Sequence, residues 1–348
     1  MIRSKIAGIG MYVPEQVITN QDLTRYMDTS DEWIQERTGI KERRYAHRTN
    51  ETTTTLGVAA ATIAIERAGL TPSDIDFIIF ATLSPDYYFP GCGVLLQRAL
   101  HMKEIGALDI RNQCSGFLYA ISVADQFIKS GMYKNILVVG AEKHSFGLDF
   151  STRGRNISVI FGDGAGAIVL QPTDEENRGL LSTHLHSDGT HAEILAMYNP
   201  GTHANHWAPG LADFDTAEMG EMFMSHAMID KAQNFPNMDG PAVFKVAVEK
   251  FPEVILESLD KNNYTAADLK LLIPHQANLR IAQFVQKKLK LRDDQVNNNI
   301  QKYGNTTAAS VPIALCEAYE AGLLQPGDLV CLAAFGSGFT WASALLKW

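Results

Sequence analysis

Cys114 stands in the run LDIRNQCSGFLYAISVADQFIKSG, where an apolar stretch ends, a short turn follows and a helical pattern starts almost at the cysteine. A thiol at a helix N-terminus feels the positive end of the helix dipole, which lowers its pKa and favours thiolate. The Ser-Gly pair that follows leaves room for a substrate beside the sulfur. The competing reading is a buried structural cysteine, the common fate of a free thiol, and position alone does not separate the two. Cys92, Cys316 and Cys331 lack this setting and read as structural. The spacings of the four cysteines match no zinc or disulfide framework, as expected in a reducing compartment.

Three further places carry candidate chemistry. His275 follows the apolar run LLIP and is joined by Gln276 and Asn278, at the end of a predicted strand, where sites collect in α/β sheets. Asn305 lies in GNTTAASVPIAL, before a predicted helix; it is either a simple N-cap or an inward-facing amide. The closing run AFGSGFTWASALL is a Gly-rich turn between two strands, able to present backbone N–H groups to an oxyanion. By contrast, FGDGAGAIVL lacks the lysine and glycine spacing of a phosphate loop and reads as a turn and strand. His184, His186, His191, His203 and His206 hint at zinc, but no cysteine or clear acidic partner accompanies them, so no metal site is expected.

These residues need a scaffold, and the sequence implies an α/β one. Strands are predicted at 77–81, 107–110, 136–139, 165–170, 271–273 and 329–333, with helices at 54–68, 116–130, 279–289 and 309–321. Near-continuous apolar strands between helices indicate a sheet covered on both faces. The chain also repeats itself. TPSDIDFIIFATLSP from Thr71 resembles TAADLKLLIPHQAN from Thr265, and the stretch from Cys114 resembles that from Asn305 at nearly the same offset. Two matched pairs suggest a duplicated unit, with halves at 1–175 and 176–348 meeting near QPTDEENRG. By this repeat Asn305 holds in the second half the place that Cys114 holds in the first. Residues 198–239, rich in His, Met, Asn and Pro, read as a long excursion from the second half.

Composition narrows the class. The chain of 348 residues is 46% hydrophobic and 20% charged, as for a globular protein long enough for about two domains. A net charge of −9 argues against nucleic acid as the main partner. The first residues, MIRSKIAGIGMYVPEQ, contain no apolar run of the secretory kind, and no stretch approaches the roughly 20 apolar residues of a membrane span. The expected location is the cytoplasm.

Taken together, TSDEWIQERTGIKERR (Thr29–Arg44), the Cys114 segment, GDGAGA, VFKVAV, PHQANLRI, GNTTAASVP and GSGFTW resemble the β-ketoacyl-acyl-carrier-protein synthase III family. The resemblance spans nearly the whole chain. It implies a thiolase fold, two pseudo-symmetric halves forming a layered α-β-α-β-α core. It implies a catalytic set of Cys114, His275 and Asn305. Cys114 would take an acyl group from acyl-coenzyme A, and His275 and Asn305 would stabilise the enolate formed from malonyl-acyl carrier protein. The amides of Cys114 and Ser337 would form the oxyanion hole. Trp33 and Arg153 would flank the adenine of coenzyme A, with Arg37 on its phosphates and Phe244 and Asn278 along the pantetheine tunnel. Lys245, Arg280, Lys287 and Lys288 would receive the acidic carrier protein, and Phe89 would close the acyl pocket across a homodimer. No metal or redox cofactor is implied.

Three departures qualify this picture. RNQCSG replaces the usual small residues, GSGF replaces a triple glycine, and the 198–239 excursion is longer than in the housekeeping enzymes. They point to an alternative, a specialised condensing enzyme for longer acyl or β-keto substrates. A non-catalytic partner subunit or a plain coenzyme A-binding module are readings from other classes. The first is disfavoured because all three catalytic positions are filled; the second needs no thiolate.

Overall fold

The computed structural model describes residues 2–201 and 224–348. Its strands are β1 (Arg3–Tyr12), β2 (Val17–Thr19), β3 (Glu42–Arg44), β4 (Phe77–Ala81), β5 (Gly106–Ile110), β6 (Ile136–Glu142), β7 (Gly164–Thr173), β8 (Gly179–Ser187), β9 (Leu195–Ala196), β10 (Asn237–Met238), β11 (Leu271–Pro274), β12 (Leu329–Gly336) and β13 (Thr340–Lys347). One core sheet has the order β1-β7-β6-β4-β5, the other β11-β12-β13-β8. In the first, β4 runs parallel to β5 and β6, while β7 is antiparallel to β6 and β1. In the second, β11 runs parallel to β12, and β13 is antiparallel to β12 and β8. A parallel bridge from Leu272 to Val296 stands where β5 stands beside β4. Strand for strand, the two sheets repeat one pattern, and QPTDEENRG spans the end of β7 and the turn into β8.

The repeat is built from the same local chemistry twice. Thr71 and Asp74 form a reciprocal cap, with the Thr71 amide and hydroxyl both on Asp74 Oδ2, and β4 follows at once. Thr265 and Asp268 do the same before β11. Each cap satisfies donors that a tight turn would leave orphaned. β4, β6, β11 and β12 are buried almost throughout, which is why they read as unbroken apolar runs rather than alternating ones.

Two helices lie between the sheets and carry the site. Gly116–Lys129 follows the Cys114 turn, and Ser310–Glu320 follows the Asn305 turn; their buried faces join one cluster with β4, β6, β11, β12 and β13. Helices Thr53–Arg67 and Cys92–Ala99 cover the outer face of the first sheet, and Gly240–Lys261 and Leu279–Leu289 that of the second. The result is helix, sheet, helix, sheet, helix, as the resemblance implied.

The halves lock through two close approaches. A Cβ on Gly336 of β12 would fall 2.5 Å from Cys114 Cβ and 2.8 Å from its sulfur. A Cβ on Gly140 of β6 would fall 2.5 Å from the Ala308 carbonyl oxygen. Each half's turn thus seats on a glycine in the other half's central strand.

The structure differs from expectation in the excursion and around it. The long helix Gly240–Lys261 carries Pro252 in its interior, a signal that argues against a helix in sequence. Of the 198–239 stretch, 202–223 lie outside the described residues. The flanking parts form helix His226–Asp230 and the two-residue ribbon β9–β10. His203 and His206 also fall outside the described residues. His184 and His186 both bond Glu257, at 3.2 and 2.6 Å, which joins β8 to the helix Gly240–Lys261.

Candidate active site

Cys114 sits in a tight turn, Gln113–Ser115, that runs directly into the helix Gly116–Lys129. The turn is entered through Gln113 at φ 44°, a left-handed conformation that costs energy in a non-glycine residue and aims the next side chain inward. One repeat later, the matching turn is Thr307–Ala309, entered through Thr307 at φ 50°, so that Ala308 rather than Asn305 stands where Cys114 stands, and Asn305 lies three residues before it. Cys114 is 8% exposed, His275 2% and Asn305 6%. A polar group this buried needs a partner or a ligand.

Each side chain is held from behind. The His275 amide donates to Ala333 O at 2.8 Å, which docks the end of β11 on β12. Its Nδ1 lies 2.6 Å from Ser310 Oγ, and its Nε2 is buried without a partner. Ser310 Oγ is also 2.9 Å from Thr307 O. If the hydroxyl donates to Nδ1, the ring hydrogen sits on Nε2; if it donates to Thr307 O, Nε2 keeps a lone pair. Asn305 is fixed by its amide on Ile160 O (2.9 Å), by its carbonyl accepting from Gly162 N (3.1 Å), and by Oδ1 accepting from Thr307 N (2.8 Å). With Oδ1 so engaged, the amide NH2 is its free end. His144 Nε2 braces Thr307 Oγ1 at 2.6 Å.

Electrostatics correct one expectation. Burial, joined by the negative Glu142, pushes the Cys114 thiol up to about 12, against the pull of the Ser337 amide and its own. A helix dipole contributes at most about 2 kcal/mol, one to two pKa units, so it does not offset burial. At rest Cys114 is therefore a thiol. Glu142 ends β6 beneath it; burial lifts this carboxyl to about 7 even though Thr82, Leu83 and Ser84 all donate to it. Burial also pushes His275 and His144 down to about 3, so both stay neutral at physiological pH.

The turn after β12 supplies the remaining group. The Ser337 amide faces the Cys114 sulfur and pulls its pKa down against burial. A carbonyl oxygen entering beside the sulfur would meet that amide and the Cys114 amide together, the arrangement of an oxyanion hole.

The other expected residues form two outer groups. Trp33 carries Arg37 over one ring position at 4.3 Å and Arg155 at 5.2 Å. Arg153 is not the guanidinium over Trp33; it pairs with Asp149 at 2.7 Å and lies 5.9 Å from the Phe235 ring. Asn278 donates to Arg37 O at 2.9 Å and accepts from Arg280 N at 2.9 Å, capping the helix Leu279–Leu289. Arg280 lies 5.9 Å over Phe244. Lys245, Arg280, Lys287 and Lys288 are all exposed. Phe89 is 81% exposed, on the loop between β4 and the helix Cys92–Ala99. Sequence reasoning missed Ser310, His144, Glu142 and Arg155, which carry no motif of their own; their roles come from where the fold puts them.

The fold and its relatives define a condensing acyltransferase of the thiolase type. Residues 108–189 match the model of 3-oxoacyl-[acyl-carrier-protein] synthase III, and residues 259–348 match that of its C-terminal part. The chain is 42% identical to the beta-ketoacyl-[acyl-carrier-protein] synthase III of Sulfurovum sp. (strain NBC37-1), over 99% of this chain and 96% of that one. It is 43% identical to the enzyme of that name from Caldanaerobacter subterraneus subsp. tengcongensis, over 100% and 98%. The crystal structure of 3-oxoacyl-[acyl-carrier-protein] synthase III from Aquifex aeolicus VF5 superposes with a TM-score of 0.86 at 41% identity, covering 99% of this chain and 100% of that one. The chain belongs to the β-ketoacyl-acyl-carrier-protein synthase III family.

Proposed function

We propose that this enzyme starts acyl chains: it takes an acyl group from acyl-coenzyme A onto Cys114 and condenses it with malonyl-acyl carrier protein, releasing carbon dioxide. The observation that carries this reading is the convergence of a buried thiol with an amide on its sulfur, a buried imidazole with an unpartnered Nε2, and an amide side chain with its oxygen engaged.

In the first half-reaction the sulfur attacks the thioester carbonyl. The new C–S bond forms at Cys114, the bond to coenzyme A breaks, and the thiol proton leaves with the coenzyme A sulfur. The amides of Cys114 and Ser337 hold the oxyanion; one such donor contributes about 100- to 1,000-fold. In the second, the malonyl C–CO2 bond breaks, and its electron pair becomes an enolate whose oxygen accepts from His275 Nε2–H and the Asn305 amide. This needs the Ser310 hydroxyl to donate to His275 Nδ1. The enolate carbon attacks the acyl carbon, the C–S bond breaks, and the Cys114 thiolate takes a proton from water.

Trp33, Arg37 and Arg155 receive the nucleotide end of coenzyme A, with Arg153 alongside, and Phe244 and Asn278 line the pantetheine path. Lys245, Arg280, Lys287 and Lys288 offer positive charge to the acidic carrier protein. The enzyme works as a cytoplasmic homodimer in which Phe89 closes the partner's pocket, and its halves divide near residue 175. Among the described residues no helix is long and apolar enough to cross a membrane. The full-length relatives support the initiating role over the specialised alternative for longer or β-keto chains.

Intact-mass spectrometry with acyl-coenzyme A donors of two to fourteen carbons tests the reading, with Cys114→Ala as control. One acyl group gained, absent in C114A and fastest with short donors, is the expected result. No adduct with any donor would remove Cys114 as the nucleophile.

A further inference from the structure

Ser337 stands between two glycines in the GSGF turn, and its side chain does something a glycine cannot. The Ser337 hydroxyl donates to the Leu195 carbonyl. Leu195 and Ala196 form β9, which pairs with Asn237 and Met238 of β10 at the base of the 198–239 excursion. The ribbon is itself anchored. The Asp239 amide donates to Ile194 O at 2.8 Å, and Asp239 caps the helix Gly240–Lys261 through Ala242 N at 3.1 Å. Met238 packs against the cluster of Leu23, Ile34 and Trp33. On its other side the turn is tied to the nucleophile: Thr340 Oγ1 donates to Ser337 O at 3.2 Å and lies 2.5 Å from Ser115 Oγ. Past the turn, Phe339 and Asp188 exchange backbone bonds at 2.6 and 2.8 Å.

We propose that the Ser337 hydroxyl is a positioning group for acyl transfer: it fastens the turn that presents the Ser337 amide to the ribbon at the base of the excursion. The ribbon then sets where the oxyanion donor points. Without the hydroxyl, the turn keeps its links to Ser115 and, past Gly338, to Asp188, but loses the one tie that the Ser337 residue itself makes to the ribbon. Donors of this kind act through fixed geometry, and small displacements cost rate rather than affinity. This inference rests on the reading of Cys114 as the acyl nucleophile.

The test compares wild type, Ser337→Ala and Ser337→Thr in two reactions of the same sulfur. One is single-turnover loading from acyl-coenzyme A, followed by intact mass over a range of donor concentrations. The other is alkylation by iodoacetamide, a displacement that develops no oxyanion. S337A is expected to load about tenfold to a hundredfold more slowly, below the limit of about 1,000-fold for a donor lost outright. The half-saturating donor concentration and the alkylation rate should stay within about threefold, and S337T should restore loading. Loading at the wild-type rate in S337A would overturn the proposal, as would equal falls in loading and alkylation. A wild-type enzyme that takes no acyl group overturns the reading of Cys114 and this inference together, whereas a loading wild type with an indifferent S337A overturns the inference alone.

Discussion

Ser310→Ala separates the two half-reactions. Ser310 Oγ lies 2.6 Å from His275 Nδ1 in a buried site, and no other partner of that nitrogen is at hand. Removing the hydroxyl leaves a buried polar atom unsatisfied, at about 1–3 kcal/mol. If that cost falls on the step that uses His275 Nε2–H, it slows it about 5- to 150-fold, since 1.36 kcal/mol is tenfold. Acyl loading uses the amides of Cys114 and Ser337 and should proceed near the wild-type rate. Loading is read by intact mass, and decarboxylation by release of labelled carbon dioxide from malonyl-acyl carrier protein on enzyme already acylated. S310T should recover most of the loss. An equal fall in both steps would show that Ser310 supports the whole pocket, and no fall in decarboxylation would show that the imidazole does not need a fixed tautomer.

Trp33→Ala should raise KM for acyl-coenzyme A about 3- to 30-fold, the range of a cation–π or stacking contact, while leaving short thioesters without the nucleotide unaffected; steady-state kinetics with both donors reads the difference. Glu142→Gln removes the charge that helps hold the Cys114 thiol up. Because that carboxyl ionises near 7, iodoacetamide alkylation at pH 8–9 should speed up by about threefold to tenfold, and should change little at pH 6, where Glu142 is already neutral. Acid should destabilise the fold through His144 and His275. Both have folded pKa values near 3, below their ordinary 6.5, so the unfolded chain binds more protons. Their contribution is complete above about 6.5 and is lost as pH falls toward 3. Denaturation midpoints measured across that window should fall steadily, and less so in His144→Gln.

Much of the scaffold was legible because burial on both faces writes an unbroken apolar run. β4 was delimited to the residue, and β6, β11 and β12 were found with short ends. β1 and β8 were missed. Both are sheet-edge strands with mixed exposure, and their Gly, Ser and His residues blur any alternation. The repeat made the Cys114 turn and its counterpart legible but misaligned them by three residues: Thr307–Ala309, not Asn305, matches Gln113–Ser115. The thiol's protonation was misjudged because the dipole of a helix shows in sequence, whereas the depth at which its first turn is buried does not. Ser310 and Glu142 were invisible for a related reason: a serine among small residues and a glutamate ending a strand acquire meaning only across the gap between halves. Arg155, over Trp33 at 5.2 Å, carried no signal in the sequence, and the pairing of Arg153 with Asp149, four residues earlier, was equally hidden there.

The reciprocal seating of each turn on the other half's glycine has a consequence for how the enzyme comes into being. During synthesis Cys114 is made long before Gly336 and Ser337. Until those arrive, the thiol has neither the strand it rests on nor the amide that serves it. A partly finished chain therefore carries a cysteine but no oxyanion site, although its thiol, not yet buried, ionises more readily than in the finished fold. Acyl loading of Cys114, which on the proposed reading needs the Ser337 amide, would then report that the two halves have met, whereas alkylation of the thiol would not.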